Sequence, residues 1–417
     1  MPRTEELKKL VLLASLYVSQ IIPVHFLLAG LPVIMRQRGM SLDAIGALSL
    51  LAVPAMLKFL WSPFIDRYSF KRWGHYRFWI IIFQLLVVGV TVICAGLDID
   101  KNLSIVLVCT FLMAVFCSSQ DIATDALAVG LLKPNERSLG NGVQMGGHYL
   151  GTIIGGGTML ILLNRLGWTA SLLIMALIML VALIPVLRHK ERKPQQEELA
   201  SLGIKGYFQT LSNFFRHRGT VTWLLILVLY SAGSGMASTM FRPLLSDLGL
   251  SLAEIGWLLG IVSCTAGILG AIAASLLIPS LGRKRSLVLF GLLQAIAIAT
   301  YLLPASGVTN LPTLYLVVIS VQILSGAAHT TLYTVMMDKS ELATAGTDFT
   351  IQASIIFMGV IGASVISGVL AKSIGYQGVF MSAIAISLVS VLVISRNFDN
   401  TNNPGSLTRK KASSTSQ

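Results

Sequence analysis

Long apolar runs, each of roughly twenty residues or more, recur along this 417-residue chain and leave little room for a fold that faces water. Only 12% of the residues are charged and 54% are hydrophobic, with a mean hydropathy of +0.78. A soluble domain carries about 25% charged residues, so the solvent of this surface is lipid. There each backbone N–H and C=O must find its partner inside the protein, which leaves helices or a closed barrel. The runs are continuous, not short and alternating, and that excludes the barrel. The fold expected is all-α and integral to the membrane.

Twelve spans are expected, near 10–34, 42–62, 76–96, 103–131, 138–163, 168–187, 220–241, 251–277, 286–305, 313–337, 348–371 and 376–395. The first follows Lys8 and Lys9 as a signal peptide would, yet it is long enough to cross and reads as a retained helix. One link is long, a polar loop beginning RHKERKPQQEE. The domains expected are therefore a six-helix bundle over 1–187, a cytoplasmic linker over 188–219, a second six-helix bundle over 220–396 and a disordered cytoplasmic tail over 397–417. Lys and Arg in the even-handed reading of the loops favour one side by about fourfold, which places both termini in the cytoplasm. The same rule accounts for the net charge of +13 without nucleic acid.

The halves read as repeats. At an offset of 208, Gln144 meets Gln352, Gly151 meets Gly359 and Gly155 meets Ala363. FIDRYSFKRW after the second span has a counterpart in SLGRKRSLVL after the eighth. Two six-helix pseudo-repeats in one orientation are the architecture of the major facilitator fold. Glycine-rich faces in spans five and eleven allow close helix approach.

Polar residues inside spans carry the functional content, because each needs a partner or water. Span four holds SSQDIATDALAV, with Gln120, Asp121 and Asp125. The two aspartates are four apart, share a face and repel one another, as a proton-coupling carboxylate requires. The alternative is a structural, charge-neutralising pair. Lys58 in span two lies about 24 Å from the outer start of its helix, and Asp121 about 27 Å into span four. The depths match, so Lys58 is the expected counter-charge, paired with Asp121 or with Asp125; the alternative is that it snorkels to the interface.

His148, Tyr149, His329 and Tyr333, with Gln120, Gln144 and Gln352, are candidates for substrate binding. Each histidine reads equally as one bonded to a neighbouring helix, and each glutamine, Gln84, Gln294 and Gln322 included, as interhelical glue. Asp66, Arg67, Lys71 and Arg72 after span two read as a conformational latch, an aspartate there capping a helix end in one state only. Arg242 and Asp247 read as surface groups or an outer gate. The four cysteines show no CxxC spacing, and neither a metal site nor a disulfide is expected. There is no Walker A, HExxH or nucleophile-elbow sequence, so no cofactor and no enzymatic activity are expected.

LKFLWSPFIDRYSF followed by SSQDIATDALAV resembles the AmpG-like branch of the major facilitator superfamily, which includes muropeptide permeases, acetyl-CoA transporters and the RhtX/FptX siderophore permeases. The superfamily loop of the form G-x-x-x-D-R has Pro63 in its region here. The resemblance marks Lys58, Asp66, Arg67, Asp121 and Asp125 as the positions matching the branch motifs. The chain's size looks more like the siderophore permeases. The resemblance thus implies a monomeric, proton-coupled importer of a siderophore or ferric-siderophore complex in the bacterial inner membrane. The alternatives are muropeptide import for cell-wall recycling and a non-transporting membrane sensor or assembly partner.

Overall fold

In the computed structural model the described residues are 2–37, 47–68, 74–99, 101–191, 211–216 and 219–398. Lys71, Arg72, most of the expected linker and nearly all of the expected tail lie outside them.

Every regular element among the described residues is helical. Among the described residues nine helices are long and apolar enough to cross a membrane. Two of them, Arg137–Arg188 and Ala345–Asn397, run for 52 and 53 residues, more than twice the ~20 a bilayer needs. Each turns a corner at one glycine, Gly167 at φ 79° and Gly375 at φ 68°. A side chain would be strained in that left-handed region and glycine is not. These corners fall where the links after the fifth and eleventh spans are expected, so each long helix holds two spans.

The second span departs from the continuous helix expected. It runs as a 3-10 turn Ala47–Ala52, a short α-helix Val53–Leu57, a 3-10 turn Lys58–Leu60 and a helix Ser62–Arg67. Pro54 and Pro63 each sit in the first turn of one of the α pieces. Proline has no N–H to give the preceding turn but suits a helix start, so two prolines nine residues apart restart the helix twice.

Contacts group the chain into two units. The first comprises Met1–Leu131, Gly147–Thr210 and Leu342–Thr350. Ile22, Phe26, Val87, Met113, Met159, Leu172 and Met175 lie in its core. The first span closes on the fifth at Gly155, where an added Cβ would stand 2.5 Å from the Ile22 carbonyl oxygen. Helices in lipid associate through such close packing, because lipid is as apolar as their side chains. Just there the fifth span opens into a π-helical turn, Ile153–Thr158.

The second unit comprises Leu132–Gly146, Leu211–Glu341 and Ile351–Gln417. Met236, Phe241, Tyr301, Val317 and Phe380 lie in its core. The eighth span also contains a π-helical turn, Trp257–Val262.

Candidate functional site

The fourth span, Leu103–Leu131, carries the charged cluster of the first unit. Lys58 forms an ion pair and hydrogen bond with Asp121 Oδ2. The lysine is 5% exposed, so it is buried and does not snorkel to water. Its place on the 3-10 turn between Pro54 and Pro63 aims it at the fourth span rather than along its own helix. Gln20 Nε2 donates to Asp121 Oδ1 at 2.8 Å. One turn along, Asp125 is 2% exposed and accepts from Tyr17 Oη at 2.9 Å. Trp61 Nε1 donates to Ser119 Oγ at 3.0 Å, bracing the 3-10 turn against the same helix. One cation thus faces two carboxylates, and a proton on either would balance the cluster.

Tyr17 and Gln20 were not among the expected residues. Neutral polar groups do not demand a counter-charge, so the sequence raises no question about where their partners lie. A partnership of Lys58 with Asp121 or Asp125 was anticipated, since an intramembrane charge does demand one, and the structure pairs it with Asp121.

The candidate substrate residues separate. Gln120 is fully buried and donates to Gln84 Oε1 at 3.0 Å, while Gln84 donates to the Met179 carbonyl at 2.6 Å. These two stitch the third, fourth and sixth spans together. In the second unit, Gln352 accepts from Trp223 Nε1 at 2.7 Å and donates to the Met336 carbonyl and Ser340 Oγ, so its amide N–H groups and its oxygen are all engaged inside the packing. Gln144 is buried, and Tyr333 is half-buried. His329 donates from Nδ1 to the Ser325 carbonyl of its own helix at 2.7 Å. His148 is exposed and Tyr149 half-buried. The His148 ring meets His25 edge to face, at 5.8 Å between centroids.

Asp66 lies 2% exposed in the first unit. Its Oδ1 accepts from Gly346 N at 3.0 Å and Tyr76 Oη at 2.8 Å, and its Oδ2 from Thr347 N and Thr347 Oγ1, both at 2.7 Å. The helix of the eleventh span starts at Ala345. Asp66 therefore supplies acceptors to the orphan N–H groups of that helix start, where the dipole also favours a negative charge. Arg67 instead lies over the Tyr68 ring at 5.6 Å. Tyr76 is held in turn by Glu191, whose carboxylate accepts from Tyr76 N at 3.3 Å and Arg77 N at 3.0 Å.

The second unit has a charged cluster that was not expected. Asp338, 5% exposed at its side chain, accepts from Arg137 Nη1 at 2.9 Å and Arg283 Nε at 2.6 Å. Arg283 also donates to the Pro134 carbonyl at 2.9 Å. Asp338 sits at the end of the tenth span, where solvation is a sufficient reading for a lone carboxylate. At the other end of the unit, Asp247 takes Tyr376 Oη at 2.5 Å, and Arg242 is exposed.

Residues 13–351 and 233–416 each match the family described as Major Facilitator Superfamily. An uncharacterized protein of Haemophilus influenzae is 30% identical over 285 residues, 67% of each chain. The anhydromuropeptide permease of Escherichia coli K12 is 24% identical over 367 residues, 86% of this chain and 74% of that one. The crystal structure of the human organic anion transporter MFSD10 (TETRAN) matches with a TM-score of 0.76 at 16% identity, covering 93% of this chain and 99% of that chain, which is a likeness of fold. The permease relative supports the AmpG-like branch. These relatives give no support to kinship with siderophore permeases in particular.

Proposed function

Since this chain belongs to the Major Facilitator Superfamily and is a multi-pass membrane transporter rather than an enzyme, we propose that it imports a sugar–peptide fragment of the cell wall, coupled to protons. The observation that carries the reading is the pair of buried Lys58 with half-buried Asp121, buried Asp125 beside it, in a chain similar to an anhydromuropeptide permease. Within the branch the siderophore reading rested on the chain's size and compactness, and it gives way to this one.

In the proposed cycle two six-helix bundles, 1–187 and 220–396, carry substrate by alternating access. A proton on Asp121 releases Lys58 from its pair, with Asp125 as the second carboxylate able to carry it, and an acidic group of the substrate takes the place of the Asp121 carboxylate. Asp66 acts as the latch, holding Leu342–Thr350 in one state and letting go in the other. Arg67, Lys71 and Arg72 are the basic residues assigned to the same latch. The protein works as a monomer in the bacterial inner membrane, with both termini in the cytoplasm.

Uptake into cells expressing the protein tests this, with labelled anhydromuropeptide and labelled ferric siderophores offered with and without a protonophore. Muropeptide uptake that the protonophore abolishes supports the proposal. Siderophore uptake alone would restore the earlier substrate. Absence of any flux, in cells and in liposomes, would favour a sensor or assembly partner.

A further inference from the structure

The first and fifth spans approach so closely at Gly147 and Gly151 that added Cβ atoms would stand 2.9 Å from Tyr17 Cβ and 2.9 Å from the Val18 carbonyl oxygen. Just beyond that contact two imidazoles meet. His25 and His148 lie edge to face at 5.8 Å and 89°. His148 and the neighbouring Tyr149 lie at 6.2 Å and 85°. Thr152 Oγ1 donates its one proton to the His148 carbonyl at 2.9 Å. The His25 Nε2 atom, 3.3 Å from Thr152 Oγ1, is therefore the donor to that hydroxyl oxygen, which leaves Nδ1 of the neutral ring as an acceptor.

His148 is exposed although it sits within a membrane span. An imidazole presented to hydrocarbon is costly, and ionisable side chains in spans face water-filled space instead. Along the first helix His25 lies about 7.5 Å beyond Gln20 and about 12 Å beyond Tyr17. Those two residues hold the carboxylates of the ion-pair cluster. The first unit thus offers an ionic end and, roughly two turns away, an end made of imidazole and phenol groups.

We propose that His25, His148 and Tyr149 form a saccharide subsite, distinct from the Lys58–Asp121 pair and built to take the sugar end of an elongated sugar–peptide. Hydroxyl groups both donate and accept, and a neutral imidazole does the same. The flat face of Tyr149 supplies an apolar surface for the C–H side of a sugar ring. The ionic end is left for the charged groups of the peptide. This assignment rests on the sugar–peptide reading of the preceding subsection.

The test is calorimetric binding of the N-acetylglucosamine disaccharide to the full-length protein in lipid nanodiscs. Wild type is expected to bind it, with about tenfold or greater weakening in His148→Ala and Tyr149→Leu, and partial recovery in His148→Gln, which keeps a donor and an acceptor. A thermal melt accompanies each variant, so loss of binding is read only from folded protein, and Tyr149→Leu serves if His148→Ala fails to fold. No binding by wild type, or equal binding by all variants, overturns the subsite. Muropeptide uptake is measured separately. Uptake without disaccharide binding removes the subsite and keeps the permease reading. Disaccharide binding lost in the variants, with no uptake by wild type, keeps the subsite and removes the permease reading.

Discussion

Lys58 and Asp121, 63 positions apart, close an ion pair inside the first unit, and no other cation is paired with Asp121 among the described residues. Replacing Asp121 with Asn removes the partner of a buried ammonium and leaves only Asp125 to answer it, so the loss stays below the about 3–5 kcal/mol of a buried pair broken outright. Accumulation driven by a pH gradient in proteoliposomes should vanish, while substrate exchange persists. The double replacement Lys58→Met with Asp121→Leu should recover thermal stability and not accumulation, because a well-packed apolar pair is close to neutral in energy. Undiminished accumulation by Asp121→Asn would show that the pair is structural.

Asp66→Ala removes the acceptor of four hydrogen bonds, three of them from Gly346 and Thr347. A lost helix cap costs about 0.5–2 kcal/mol. Hydrogen exchange should rise at Gly346 and Thr347, at the start of the eleventh span, and transport should fall. Protection unaltered at those two amides would show that the carboxylate does not hold the segment.

Gly155→Ala would force the first and fifth spans apart, since its Cβ would lie 2.5 Å from backbone at Ile22. Overpacking of this kind costs about 1–3 kcal/mol. A matched pair of melts with Gly156→Ala, where nothing lies within 4 Å of the added atom, should show the loss only at Gly155.

Burial pushes the His75 imidazole down to about 4, and its Nε2–H donates to the Ile65 carbonyl at 2.9 Å. The unfolded chain takes up that proton near pH 6.5. Between those values the unfolded chain binds more protons, so stability falls as the pH drops from about 6.5 to about 4 and is unaffected above that window. The loss is on the order of 3 kcal/mol. His75→Gln should flatten the melting temperature over the same range; parallel curves for the two proteins would remove the histidine from the acid response.

What the sequence disclosed follows from what lipid forbids. A charge inside a span must be answered, so Lys58 and Asp121 could be matched by depth arithmetic before any contact was known. Apolar runs give spans for the same reason. Gln120 and Gln352 were ambiguous because an amide satisfies itself equally well on substrate or on a neighbouring helix, and in the structure both are spent on packing. Asp338 escaped notice at a span end, where water would have sufficed, although Arg137 and Arg283 both reach it. The interruption of the second span was written in Pro54 and Pro63, but hydropathy alone does not register a missing N–H. His25 was within reach: a histidine in the first span is itself an intramembrane ionisable group.

Asp66 and Thr347 are 281 positions apart, yet they share two hydrogen bonds in one packed unit. Recombination anywhere between them separates an acceptor from its donors. Two halves inherited from different ancestors would fit only if both kept the same pairing. The long connecting loop is therefore a poor seam for a chimera, and a functional graft of the first half should carry Leu342–Thr350 with it.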